Sequence, residues 1–203
     1  MLILLLLFGV AGGEMPIPVL ENNGLLPPYV GDPTLSQNHS PYKTTMPEIA
    51  QRFCATPARR ELFRGLLGYR AELAALGIVN GFQWINGSFT ADIEAMEGRD
   101  PRDIDILTFY HRPIAARDDI AWTMLVQANT QTFDPRELKQ RFHCHVVHAV
   151  DLGGPGERTV IVTSFFNSLF SHQRLTKRWK GMLRVELNPA LDAAAAAHIA
   201  GAP

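Results

Sequence analysis

The chain has 203 residues, of which 46% are hydrophobic and 19% charged, and its formal net charge is −1. That length and balance suit one core-forming domain, or one domain with appendages. The near-neutral charge removes any electrostatic reason to expect general nucleic-acid or membrane-surface binding. The two cysteines, Cys54 and Cys144, lie far apart and form no CxxC-type metal motif. Their apolar surroundings read as buried free thiols in a reducing compartment.

The first apolar run, Leu2 to Val10, is too short to span a bilayer as a helix. As a signal peptide it has no preceding Lys or Arg, and Val10-Ala11-Gly12 is a poor cleavage site. The favoured reading starts the protein at Met15, makes 1–14 an extension outside the native chain, and places the protein in the cytoplasm. A lipid-facing or secreted N-terminus is the alternative. From Pro16 to Pro47 the density of Pro, Gly and Asn argues against long regular elements, so 15–47 is expected to be an irregular arm lying over the domain.

Met46 to Leu76 reads as helix broken near Thr56-Pro57, with Thr56 as N-cap and Pro57 at the first helical position. Leu62, Leu66, Tyr69, Leu73 and Leu76 make a buried stripe, and Gly77 ends it. Phe82 to Ile85 is a short strand, Ser88 to Met96 a helical turn or short helix, and Glu97 to Arg102 a polar loop. Asp103 to Tyr110 is an apolar strand. Ala115 to Asn129 returns to helical spacing through Ile120, Met124 and Leu125. Asp134-Pro135 starts a short helix reaching Phe142. His143 to Leu152 is a strand, Gly153 to Glu157 a turn, and Thr159 to Phe166 a further strand or the lead into a helix. Met182 to Leu187 is the last strand, and the Ala-rich tail from Pro189 is expected to fray. This order indicates an α/β or α+β sheet domain over 48–188, followed by a tail at 189–203.

Asn86-Gly87-Ser88 and Asp103-Ile104-Asp105 carry the chemistry. Carboxylates one residue apart on a strand share a face, and like charges that close repel unless a cation lies between them. Asp103 and Asp105 sit among core-type residues, where a carboxylate needs a partner or a metal. Mg²⁺ (or Mn²⁺) suits two carboxylates completed by substrate phosphates and water. Gly87, lacking a side chain, lets a triphosphate approach the backbone, and Ser88 adds a hydroxyl donor. Gly-Ser pairs are common in turns, so their position between two strands gives the signal its value. No Walker-type run is present.

These residues resemble the polymerase-β-like nucleotidyltransferase superfamily, and more closely a poorly characterised set of bacterial proteins of that fold. The features are Leu25-Leu26-Pro27-Pro28, Gly81 to Phe89, Asp103 to Phe109, and Leu169 to Arg174 with Trp179-Lys180-Gly181. The resemblance implies a mixed sheet flanked by helices and Mg²⁺-dependent use of a nucleoside triphosphate. Asp103 and Asp105 would be metal ligands, and Gly87-Ser88 would lie on the phosphates. The acceptor would be a protein side chain, a small molecule or an RNA end.

One departure stands out. Active members of the superfamily usually carry a third carboxylate on a later strand, and here His145 occupies that place, with Asp151 only at the strand end. A neutral histidine can ligate a metal or act as general base, but it brings no negative charge. This leaves a nucleotide- or partner-binding pseudoenzyme, or a hydrolytic site built on His145 and the aspartates, as alternatives. His172, Arg174, Lys177, Arg178 and Lys180 are the only concentrated positive charge. They read either as a solvated basic helix face or, for Arg174 or Lys180, as triphosphate ligands. Arg59 and Arg60 read as an exposed helix face; Asp92 and Glu94 follow Gly87-Ser88 closely enough to approach the metal site, but a surface helix explains them.

Overall fold

A five-stranded mixed sheet with helices on both faces organises the computed structural model, which describes residues 17–174 and 176–201. The extension expected at 1–14 and the start at Met15 lie outside the described residues. The strands are β1 (Tyr42–Thr44), β2 (Gly81–Asn86), β3 (Ile104–Tyr110), β4 (Cys144–Asp151) and β5 (Leu183–Glu186). Their spatial order is β1-β5-β2-β3-β4, with β1/β5 and β3/β4 parallel and β2 antiparallel to both of its neighbours. The helices are α1 (Met46–Phe53), α2 (Pro57–Ala75), α3 (Ile93–Glu97), α4 (Asp119–Ala128), α5 (Thr130–Phe133), α6 (Pro135–Phe142), α7 (Gly156–Phe170) and α8 (Pro189–Ala200). This is an α+β sheet domain, as the element order indicated, with the mixed sheet flanked by helices that the resemblance implied. Among the described residues no helix is long and apolar enough to cross a membrane.

Strand alternation gives the sheet two unlike faces. On the helical face Ile85, Ile104, Ile106, Cys144, Val146, Leu183 and Val185 pack with α1, α2, α6 and α8 into the main core. Of the stripe read from the sequence, Leu62, Leu66, Tyr69 and Leu73 are buried there, and Leu76 is partly buried against them. Thr56 caps α2 by accepting from the Arg59 N–H, and Gly77, at φ +77°, follows its end. Arg70 is sealed into this core. Its guanidinium donates to Asp192 on α8, to Gln83 Oε1 on β2 at 2.9 Å and to the Glu186 carbonyl on β5 at 2.6 Å. One cation thus ties three elements to α2.

The other face carries a smaller cluster. Trp84, Leu107, Phe109, Val150, Phe170 and Met182 pack mainly against α7. Between Ile106 and Leu107 the β3/β4 register shifts by one residue, so Val147 is an extra residue in β4.

Four local expectations change. Residues 156–170 form α7, a helix throughout, which settles the ambiguity at Thr159 to Phe166. The tail from Pro189 is not frayed: Asn188 caps α8, and Ala195 and Ile199 are buried against α1 and α2. Helical spacing in α4 was legible, but its buried-side contact is Trp122 stacked on Tyr110, while Ile120 and Met124 face outward. His143 lies outside β4: it ends α6 in the left-handed region at φ 52°. The arm lies over the domain, where the Gly181 N–H donates to the Leu26 carbonyl at 2.7 Å and the Tyr42 hydroxyl to the Pro27 carbonyl at 2.9 Å.

Candidate functional site

The smaller-cluster face stops short of the N-terminal end of β3, and a cavity of about 350 Å³ opens there. Register explains what points into it. Asn86 pairs with Asp105 across β2/β3, and Asp105 pairs with His145 across β3/β4, so three polar residues lie side by side on one face. Asp103 precedes the strand by one residue and lines the same cavity. Gly87, Ser88, Arg174 and Lys180 line it too, so all seven residues singled out for chemistry meet in one place.

Asp105 has its two oxygens in different settings. Oδ1 lies 2.8 Å from His145 Nδ1, whereas Oδ2 faces the Gly87 turn. Gly87 has φ +94°, and a Cβ there would stand 3.0 Å from Asp105 Oδ2. Both the backbone angle and the close approach therefore call for glycine. Asp103 Oδ2 lies 3.0 Å from Lys139 Nζ, reaching over from α6. Asn86 is fully buried: its Nδ2 donates to the Phe170 carbonyl at 2.8 Å, and its Oδ1 has no partner among the described residues. An unpaired buried acceptor costs on the order of 1–3 kcal/mol, which marks this corner as one that favours a donor from outside the chain.

Positive charge faces the carboxylates. Burial pushes the Lys180 ammonium down to about 8, against the upward pull of Asp105, and Arg174 adds to the lowering. Residues 171–174 and 176–180 form no basic helix face. They make a turn closed by a bridge between His172 and Trp179, with the His172 and Trp179 rings 4.7 Å apart. His172, Arg174 and Lys180 turn toward the cavity, whereas Lys177 and Arg178 are exposed and do not line it.

The Gly87–Glu97 segment is fixed from behind by Arg59, which corrects the reading of Arg59 as an exposed residue. Its guanidinium is buried, forms a two-bond pair with Glu94 at 2.6 Å, and donates to the Phe89 and Ala91 carbonyls. The pairing with Arg59 holds the Glu94 carboxyl below its ordinary range. Glu94 and Asp92, which caps α3, serve the loop and do not line the cavity. Asp151 lies at the far end of β4, paired with Arg112 at 2.6 Å.

Sequence reasoning missed Lys139 and the supporting role of Arg59. No local signal marks either one, because both act across more than thirty residues of chain. Among the described residues no three His, Cys, Asp or Glu side chains form a metal-holding group. The donor set fits an ion held by Asp103 and Asp105 and completed by substrate oxygens, as Mg²⁺ prefers, and does not fit an all-protein cage.

A family model matches residues 18–186, and the chain belongs to that family, DUF6932, a family of unknown function. No curated protein and no solved structure matches the chain.

Proposed function

We propose that this protein transfers a nucleoside monophosphate from a nucleoside triphosphate to an acceptor hydroxyl. The observation that carries the reading is the meeting around one cavity of the Gly87-Ser88 turn, two carboxylates and two cations that form no ion pair among the described residues. The resemblance to polymerase-β-like nucleotidyltransferases supports it. Asp103 and Asp105 would hold Mg²⁺ (or Mn²⁺), and the ion would neutralise charge building on the α-phosphate. Gly87 gives the triphosphate access to backbone N–H groups, and Arg174 and Lys180 balance the remaining phosphate charge. With Asp105 Oδ1 accepting from Nδ1–H, His145 keeps its lone pair on Nε2 and takes the proton of the acceptor hydroxyl there. The acceptor oxygen bonds to the α-phosphorus, the bond from that phosphorus to the bridging oxygen breaks, and pyrophosphate leaves.

A second reading, a nucleotide-binding protein with little turnover, is favoured by one observation: the later strand brings a histidine and no carboxylate to the pair. One experiment separates them. Purified protein is given labelled nucleoside triphosphates, Mg²⁺ or Mn²⁺, and cell extract. Transfer of label that is lost in Asp103→Ala/Asp105→Ala supports the enzyme. Metal-dependent nucleotide binding without label transfer supports the binding protein, and absence of both overturns the two together.

A further inference from the structure

Beside the first cavity lies a second cleft of about 850 Å³, and Lys180 lines both. The partition between them is short: the His172 ring, in the first cavity, rests against the Trp179 ring, in the second. Trp179 is 63% exposed and Tyr29, which also lines the cleft, 42% exposed. Tyr29 is steadied by the His39 ring at 5.5 Å and by a backbone bridge to that residue. Each ring rests against one histidine, belongs to neither core cluster and keeps the rest of its surface open to solvent.

Charge sharpens the chemistry. From Arg174 to Lys180 the sequence has four cations and no acid. Among the described residues none of Arg174, Lys177, Arg178 and Lys180 forms an ion pair, whereas Arg59, Arg70, Arg112 and Lys139 all do. Glu21 is the single carboxylate on the cleft's lining among those residues. Exposed rings that stack without regard to sequence, beside unpaired cations that follow a phosphate backbone, form the usual platform for single-stranded nucleic acid. A duplex would need a broad positive surface, which a chain of net charge −1 does not offer.

We propose that the cleft between Tyr29 and Trp179 binds the end of a single-stranded RNA and presents its terminal ribose hydroxyl past Lys180 to the first cavity. This rests on the transfer reading, and it names the acceptor. The step is the one already balanced: the ribose oxygen bonds to the α-phosphorus, pyrophosphate leaves, and the proton goes to His145 Nε2.

The test is fluorescence anisotropy with a labelled six-nucleotide oligouridine, without nucleotide or divalent metal, at two salt concentrations. Binding should weaken as salt rises. Trp179→Ala and Tyr29→Ala should each weaken it about tenfold, in line with the loss of one stacked base. Trp179→Phe should restore most of the affinity. Because Trp179 and Tyr29 are exposed, the variants should melt like wild type. Failure of wild type to bind the oligonucleotide overturns the proposal, as does equal affinity in wild type, Trp179→Ala and Tyr29→Ala. A six-residue aromatic peptide that binds more tightly than the oligonucleotide and depends on Trp179 also overturns it, in favour of a protein acceptor. Oligonucleotide binding through Trp179, with no metal-dependent nucleotide binding in a parallel assay, supports the cleft and overturns the transfer reading alone.

Discussion

The two faces of the sheet treat charge in opposite ways. On the helical face a buried cation is saturated: Arg70 meets Asp192, Gln83 and the Glu186 carbonyl, and packed side chains fill the space around it. On the other face, carboxylates and cations line a cavity, Lys139 meets Asp103 from a half-exposed position, and Arg174 and Lys180 pair with no carboxylate among the described residues. Both regions contain buried or partly buried charge, so burial alone does not separate structure from function. Saturation does. A cation whose donors are all met by the chain holds the fold together, whereas charges left partly unmet at a cavity are available to a ligand.

Arg70→Ala attacks the saturated side. Removing one partner of a buried pair leaves the other uncompensated, so a loss of about 3–5 kcal/mol is expected in urea unfolding. A loss under about 1 kcal/mol would erase the distinction between the faces. Gly87→Ala attacks the cavity. Forcing a Cβ into φ +94° against Asp105 is expected to cost about 1–3 kcal/mol and to abolish metal-dependent nucleotide binding by calorimetry. Normal nucleotide affinity in that variant would argue against a phosphate cradle at this turn.

Glu94→Gln tests the loop that joins the two regions. The Glu94 carboxyl is depressed by Arg59 in the folded protein. Its contribution is therefore complete above the unfolded value of about 4.5 and is lost as pH falls through the lower folded value. Wild type should lose stability across that acid window, and Glu94→Gln, already weaker at neutral pH, should lose less. Parallel acid-stability curves would remove the pair from the loop's support. The smallest effect is expected on the outer side of α7, where Val160 and Phe165 are 65% and 60% exposed. Val160→Thr and Phe165→Ser should each shift stability by less than about 0.5 kcal/mol. A shift of several times that size would mean that this surface is covered in solution.

Much of this contrast could be read from the residues, for identifiable reasons. The site was legible because Gly87-Ser88 and Asp103-x-Asp105 lie at the ends of neighbouring strands, where short-range spacing is enough to fix direction. The α2 stripe and its Thr56-Pro57 start were legible because capping and period are local. Arg59 was not, since a helix surface looks the same in sequence whether solvent or a loop thirty residues away faces it. The α8 tail was misjudged because an alanine run carries no amphipathic signal, and its docking depends on Asp192 meeting Arg70. In α7, mixed Val, Ile, Thr and Phe suit strand or helix equally, and tertiary context decided the outcome.

The extra residue in β4 has a consequence for parity. By strict two-residue counting, His145 and Asp151 share a face, and Asp151 becomes the natural acid to search for beside the metal pair. Val147 inverts the phase halfway along, so odd-numbered residues face the cavity before it and even-numbered ones face that side after it. Asp151 is thereby sent to the opposite side of the sheet, against Arg112. A single inserted residue leaves histidine as the neighbour that β4 offers to Asp105, and deleting Val147 would restore plain alternation while keeping Asp151 on the far side of the sheet.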